Sequence, residues 1–353
     1  MEKVLYWLLK YYTRTALKFY FRKWQIRFLS PLPEGPVLLV ANHQNAFLDA
    51  LLIVCGSWRN PWFLTRANIF NNPAMRGIIH FLKMTPVYRF RDGFGSLRKN
   101  DEVVDNCTKL FKEGECVLVF AEGNHDDRWM LRPMQKGFGR IAWAAEESSN
   151  HTMNLKIVPI GIQYDSPTKD FRSRVLLTFG DAIPVKSLML PGGTQAEAIH
   201  AMMERVKIEL EKLILDINPD GYEDRVRYFE NHKQHFSDLV DQLHADKKIM
   251  EGYDAAHLTK PNQKSSTILK WLNPIYVYSF INHLFPWMVI QWVLRKKVTD
   301  PQFISSIRFA VGMVLVPVFY LIQTTICLFL SGSWPITLGY FISLPLSIAL
   351  RKT

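Results

Sequence analysis

Cysteine is scarce in this chain of 353 residues: Cys55, Cys107, Cys116 and Cys327 are all it has. They stand at no metal-ligand spacing, which argues against a disulfide scaffold or a zinc module and predicts buried free thiols in a reducing compartment. A secretory leader is also missing. The first residues are charged throughout, with no uninterrupted apolar core and no small-residue cleavage site, so the folded part is expected on the cytoplasmic side. Acidic residues are outnumbered, 32 against 43 Lys and Arg, for a formal charge of +11. Such an excess seeks a polyanion: nucleic acid, an anionic membrane surface or a phosphorylated small molecule. Zinc-finger and RNA-binding aromatic signatures are absent. Trp, Tyr and Phe instead mix with Lys and Arg towards both ends of the chain, which suits a lipid headgroup boundary and sets nucleic acid aside as a partner.

What is present falls into four parts. Residues 1–30 read as an interfacial amphipathic helix, spanning about 2–29. Lys10, Arg14, Lys18 and Arg22 recur every fourth residue, and Leu5, Leu8, Tyr12, Ala16, Phe19 and Tyr20 fall mainly on another side. After the breaker-rich Ser30–Pro36, residues 31–217 alternate short apolar runs with helical periods. Strands are predicted at 37–41, 115–120, 156–162 and 175–179, and helices at 47–56, 73–82, 95–113, 136–148 and 194–216. That alternation predicts an α/β domain with a mainly parallel central sheet flanked by helices. Residues 218–267 are polar and read as a helical connector. Residues 268–353 read as a membrane region. Stretches 304–330 and 335–350 form a transmembrane helical hairpin around a short turn, and 268–294 form an interfacial or re-entrant element. Arg295, Lys296, Lys297 and Arg308 before the hairpin and Arg351 and Lys352 after it place both ends in the cytoplasm by the positive-inside rule.

Four segments carry residues suited to chemistry. Asn42-His43-Gln44-Asn45-Ala46-Phe47-Leu48-Asp49 follows a strand and opens a helix, the junction where α/β sheets bind ligands. His43 can accept a proton at neutral pH, and Asp49 is near enough in sequence to hold its imidazole in one tautomer. Glu122-Gly123-Asn124-His125-Asp126-Asp127 follows a second strand, with Arg132 and Lys136 downstream as positive charges. Pro86-Val87-Tyr88-Arg89-Phe90-Arg91 offers two arginines for a phosphate. Val158-Pro159-Ile160-Gly161 places a proline in a strand, a candidate pocket wall.

In this order and at this spacing, the four segments resemble the motif blocks of the glycerolipid acyltransferase family, the lysophosphatidate and glycerol-3-phosphate acyltransferases. Those blocks read N-H-x-x-x-x-D, G-x-x-F-I-x-R, F-P-E-G-T-R-S and a V-P-containing strand. The resemblance covers about residues 30–215. It implies His43 as general base, Asp49 as its orienting partner, Arg89 at the phosphate, Glu122 and Gly123 at the acceptor, and Pro159 in the fourth block. Asn45, Arg91, Arg132 and Lys136 are further candidates for substrate binding. The chain departs from the pattern in places. Five residues, not four, separate His43 from Asp49, as in a branch resembling fungal-type glycerol-3-phosphate and dihydroxyacetone-phosphate acyltransferases. Ala121 replaces the third block's proline, and Asn124-His125-Asp126 replaces T-R-S, which leaves Arg128 or Arg132 to supply the missing arginine. Lys83 and Pro86 replace the second block's glycine and phenylalanine.

The resemblance implies transfer of a fatty acyl group from acyl-CoA or acyl-ACP, as co-substrate, to a glycerol-phosphate acceptor. The acceptor is glycerol 3-phosphate, dihydroxyacetone phosphate or 1-acylglycerol 3-phosphate, with a lyso-aminolipid as alternative. No bound cofactor and no metal is implied. Membrane lipids are the expected partners, and the location is a bacterial inner membrane or the endoplasmic reticulum. Two rivals are a metal-dependent hydrolase built on His43, Asp49, His125, Asp126 and Asp127, and a non-enzymatic membrane-binding protein.

Overall fold

The computed structural model describes residues 2–66, 73–87, 96–166, 171–253 and 273–350. Its centre is an eight-stranded sheet. In chain order the strands are β1 (Lys23–Phe28), β2 (Val37–Ala41), β3 (Trp62–Arg66), β4 (Met84–Val87), β5 (Cys116–Phe120), β6 (Lys156–Tyr164), β7 (Arg174–Phe179) and β8 (Ile183–Pro184). Across the sheet the order is β1-β7-β6-β2-β5-β3-β4, with β8 beside β6. Pairing is parallel except where β6 meets β7 and β8.

Every residue of β2, Val37-Leu38-Leu39-Val40-Ala41, is buried, as expected of a central strand with helices on both faces. Val37, Leu39 and Ala41 turn to one core, with Leu17 of α1 (Glu2–Tyr20) and Leu48 and Leu52 of α2 (Ala46–Gly56). Leu38 and Val40 turn to the other. There they meet Phe111 of α4 (Ser96–Lys112), Phe138 of α5 (Gly137–Glu147) and Met202 and Val206 of α6 (Gln195–Leu213). Between β3 and β4 runs α3 (Pro73–Phe81). Helix α6 lies so close to β6 that a Cβ on Gly161 would stand 2.4 Å from that of Leu213.

The strands predicted at 37–41, 115–120, 156–162 and 175–179 and the five predicted helices are all present within a few residues. The N-terminal reading needs correction. One helix over 2–29 was expected, but α1 stops at Tyr20 and Lys23–Phe28 is an edge strand paired with β7. Lys-Trp-Gln-Ile-Arg-Phe alternates, and Trp24 and Ile26 pack on the core; the four-residue basic repeat had run across this boundary. Nor does the basic stripe lie wholly outside. Lys10 is buried, and its ammonium donates to the carbonyls of Ser57 (3.0 Å) and Arg59 (3.2 Å) and to Asn60 Oδ1 (2.7 Å). The exposed side of α1 carries Val4, Leu5, Trp7, Leu8 and Tyr11 alongside Lys3 and Lys18.

Two helices fill the segment read as a connector, α7 (Tyr222–His232) and α8 (Leu239–Glu251). They dock on the domain rather than leading away from it: Phe229, Leu239 and Leu243 pack with Trp129, Leu176, Leu215 and Ile217. Arg174 of β7 fixes this contact, donating to Asp165 (2.6 Å), the Phe236 carbonyl (2.6 Å) and Gln242 (3.1 Å).

The C-terminal part holds α9 (Pro274–Lys297), α10 (Ile304–Ser331) and α11 (Trp334–Leu350). With the short turn before it, α10 makes one helix, Pro301–Ser331, long and apolar enough to cross a membrane, and α11 is a shorter apolar helix. The region where an interfacial or re-entrant element is expected is a single 24-residue helix. Asn282 and His283, which interrupt its apolar run, face the neighbouring helices. His283 Nε2 meets the Tyr320 hydroxyl at 2.7 Å, Asn282 O accepts from Gln323 (2.7 Å), and Asn282 Oδ1 accepts from Tyr340 (2.6 Å). Interhelical hydrogen bonds of this kind hold helices together where the surroundings are apolar. The base of α10 rests on the domain: Tyr20 donates to the Ser305 carbonyl (3.2 Å), and Tyr12 to that of Met313.

Candidate active site

Strand β2 ends at Ala41, and the chain turns over Asn42–Asn45 into α2. Asn42 anchors the turn to β6: its amide donates to Ile162 O at 3.0 Å, and its Oδ1 accepts from Ile162 N at 2.8 Å. Ala46 adopts φ 41° at the head of α2, and Asn45, in the N-cap position, makes no side-chain cap. Asp49, in the first turn, ties down the loop that precedes the helix. Its Oδ2 accepts from the backbone N–H of Gln44 (2.8 Å) and Asn45 (2.7 Å) and from His43 Nδ1 (2.9 Å). Its Oδ1 accepts from the Tyr164 hydroxyl at 2.7 Å.

Asp49 is wholly buried. Burial opposes its ionisation, but the hydrogen bonds from His43, Tyr164 and Asn45 outweigh it and hold the carboxyl below its ordinary value. A carboxylate on Nδ1 leaves Nε2 of His43 as the nitrogen able to take a proton. The imidazole lies flat on Phe120, with centroids 3.8 Å apart and planes 12° apart. One ring nitrogen is thus tied down and one face covered, which fixes the orientation of the base.

The second predicted loop lies against the first. Glu122 Oε1 accepts from His43 N at 3.3 Å, and Asp126 N donates to His43 O at 3.1 Å. Glu122 Oε2 is gripped by Arg132 through Nε (2.8 Å) and Nη2 (2.7 Å). Arg132 also holds the Asn124 side chain at 2.6 Å and its carbonyl. Burial pushes the Glu122 carboxyl up to about 7, against the pull of Arg132. Gly123 takes φ 74°, with the Gln135 side chain 3.0 Å from where a Cβ would stand, so only glycine suits this corner. Lys136 is exposed at the head of α5.

The structure therefore brings His43, Asn45, Asp49, Glu122, Gly123 and Arg132 together. Arg89 and Arg91 lie outside the described residues. Pro159 is buried within β6 opposite Val40, its carbonyl accepting from Gly180 N at 2.8 Å. The donors named for a metal site do not converge. Asp126 is taken by Arg128 through Nε (3.0 Å) and Nη2 (2.8 Å) and held down to about 2. Among the described residues no group of three or more His, Cys, Asp and Glu is arranged to hold an ion.

Three participants escape sequence reasoning. Tyr164 reaches Asp49 from β6, 115 positions away. Ser306 reaches Asn45 from the base of α10. Phe303 stands edge-on to His125 at 4.6 Å, and His125 edge-on to His43 at 5.5 Å. No local signal marks them; an intact map of the sheet order would place Tyr164 beside the β2 turn.

The family model described as Acyltransferase matches residues 23–163. Over 70 residues the chain is 39% identical to glycerol-3-phosphate O-acyltransferases 1 and 2 of Saccharomyces cerevisiae; the match covers 20% of this chain and 9% of either relative. It is 30% identical over 108 residues to an uncharacterized acyltransferase of Schizosaccharomyces pombe, covering 30% of this chain and 16% of that protein. The chain thus matches under a fifth of the length of these relatives. Among solved structures it is similar to the 1-acyl-sn-glycerophosphate acyltransferase PlsC of Thermotoga maritima, at 16% identity and a TM-score of 0.41 over 60% of this chain and 81% of that one. The paired histidine and aspartate lie inside residues 23–163, the span that matches the acyltransferase family model.

Proposed function

We propose that this chain is a membrane-bound O-acyltransferase moving a fatty acyl group from a thioester, on coenzyme A or acyl carrier protein, to the hydroxyl of a glycerol-phosphate acceptor. The observation that carries the reading is the His43 Nδ1–Asp49 contact of 2.9 Å at the C-terminal end of β2, beside the Glu122–Arg132 pair. His43 Nε2 removes the acceptor's hydroxyl proton as its oxygen attacks the thioester carbonyl, and Asp49 stabilises the imidazolium that forms. The acceptor oxygen is itself the nucleophile, so no covalent enzyme intermediate forms. The proton on His43 then passes to the departing thiolate.

Arg132, already oriented by Glu122, supplies positive charge beside the base, with Arg89, Arg91 and exposed Lys136 assigned to substrate binding by motif position. Glycerol 3-phosphate or dihydroxyacetone phosphate is the favoured acceptor, from the longer His-to-Asp spacing and the yeast relatives' names; 1-acylglycerol 3-phosphate comes next. Membrane attachment is supported by the apolar Pro301–Ser331 helix and the exposed apolar residues of α1. Arg295, Lys296 and Lys297 end α9 close to the base of α10, which supports a site on the cytoplasmic side by the positive-inside rule.

The test is one panel. Purified protein in lipid vesicles receives labelled acyl-CoA or acyl carrier protein with each acceptor in turn, and the lipid product is identified. Thiol release that requires glycerol 3-phosphate or dihydroxyacetone phosphate supports the reading. Release at equal rate with no acceptor points to hydrolysis and overturns it.

A further inference from the structure

The helix that follows the catalytic sequence by some two hundred and fifty residues takes part in building its loop. Ser306, wholly buried in the first turn of α10, donates to the carbonyl of Asn45 at 2.9 Å, 261 positions away, and stands 3.3 Å from the Asn45 side-chain oxygen. The same hydroxyl accepts from Leu48 N at 3.3 Å, a group that also reaches Asn45 O at 3.0 Å. A helix start leaves backbone N–H groups to be satisfied from elsewhere. At α2 the N-cap residue makes no side-chain cap to the helix N–H groups, and the backbone of the turn is held by Asp49 from within and by Ser306 from outside. A few residues earlier in the same arm, Phe303 backs His125, which in turn abuts His43.

We infer that Ser306 is a positioning residue: the base of the apolar helix α10 locks the turn that aims His43 and Asp49, so the site is complete only when that helix is seated on the domain. The inference rests on the acyl-transfer reading for its kinetic consequence, though not for its geometry. Ser306 touches no reacting atom in this scheme. It acts through Asn45 and Leu48, the residues that fix where Asp49 meets the imidazole. A catalytic group displaced by about 1 Å loses on the order of a hundredfold in rate, so a hydroxyl that holds the turn has leverage beyond its own hydrogen bonds.

The experiment compares wild type with Ser306→Ala, and with Ser306→Cys as a second variant of similar volume and weaker hydrogen bonding. Two quantities are read. The first is acyl transfer in vesicles, where kcat is expected to fall about tenfold to a hundredfold in Ser306→Ala, and less in Ser306→Cys, while KM for the acyl donor stays within about threefold. The second needs no substrate: the pH dependence of His43 carbethoxylation, followed by mass spectrometry on folded protein. Loosening the Asp49 contact is expected to displace that profile from the wild-type one. An unchanged labelling profile together with a kcat within about threefold of wild type would overturn the inference. A wild-type protein that transfers no acyl group to any acceptor would sink the functional reading alone, and the labelling profile would still decide the role of Ser306.

Discussion

Replacing Asp49 by Asn removes one charge and almost nothing else. The carboxylate lies in a fully buried site, with three donors on Oδ2 and the Tyr164 hydroxyl on Oδ1. The asparagine carbonyl can take the place of Oδ2 and keep the Gln44 and Asn45 N–H groups satisfied. Its NH2 then faces Tyr164, whose hydroxyl turns to accept. The fold should survive with a loss of about 1–2 kcal/mol, the difference between charge-assisted and neutral hydrogen bonds. Catalysis should not. When His43 takes the proton, its charge forms about 4 Å from a carboxylate that is no longer there, an interaction of about 4 kcal/mol at an effective dielectric of about 20. At about 1.4 kcal/mol per factor of ten, kcat should fall about a thousandfold. The assay is thiol release from acyl-CoA in the presence of glycerol 3-phosphate across pH 5–9, with thermal unfolding of the same samples. Activity within about tenfold of wild type throughout that range would show that the His43–Asp49 contact carries no catalytic weight.

Tyr164→Phe removes the donor on Asp49 Oδ1 and leaves a buried carboxylate oxygen unpaired; a stability loss of about 1–3 kcal/mol and a smaller drop in kcat than for Asp49→Asn are expected, by thermal unfolding and thiol release. Glu122, with its carboxyl raised to about 7 by burial against the pull of Arg132, holds a proton in the folded state that the unfolded chain has released. Its contribution therefore favours folding at low pH and is lost as pH rises from the ordinary carboxylate range through about 7; the melting temperature of Glu122→Gln should fall less than that of wild type between pH 5 and 8. Lys10→Met strands three acceptors between α1 and the end of α2, and should lower stability by about 2–3 kcal/mol in a thermal-inactivation assay with kcat of the surviving protein near wild type.

Much of the catalytic domain was legible in the sequence because its signals are local. Runs such as Val37–Ala41 and Cys116–Phe120 are short, apolar and bounded by breakers, which is how a strand covered on both faces reads. The motif loops follow those strands, so His43 and Glu122 could be placed at the same edge of the sheet before any coordinates. Three of the outer strands were not legible. Lys23–Phe28 carries three polar residues in six and continues a helical charge repeat, while Trp62–Arg66 and Met84–Val87 are too brief to show a period. Their identity is set by pairing with β7, with β5 and with each other, a property of the assembled sheet. The same holds within the site. The contact of His43 with Asp49 spans six positions and could be proposed from spacing, whereas Tyr164 and Ser306 meet the pair through tertiary packing alone.

The extra residue between His43 and Asp49 has a visible accommodation, and it yields a prediction of its own. With five residues between them, the turn must shed one residue's length before α2 begins if the carboxylate is still to reach the imidazole. The chain does so at Ala46, whose φ of 41° is left-handed, followed at once by regular helix. A non-glycine residue there costs about 1–2 kcal/mol, held in place by the surrounding hydrogen bonds. Ala46 is also buried, so its small side chain has a steric reason as well. Ala46→Val adds a branch at Cβ that worsens the left-handed conformation; a loss of about 2–3 kcal/mol in thermal unfolding and a kcat reduced at least tenfold are expected, since the turn can relax only by drawing Asp49 away from His43. Ala46→Gly removes the backbone cost and should be neutral or stabilising by up to about 1 kcal/mol, with kcat within about threefold of wild type. If the valine variant matched wild type in both stability and rate, the left-handed corner would not be what lets the longer spacing close.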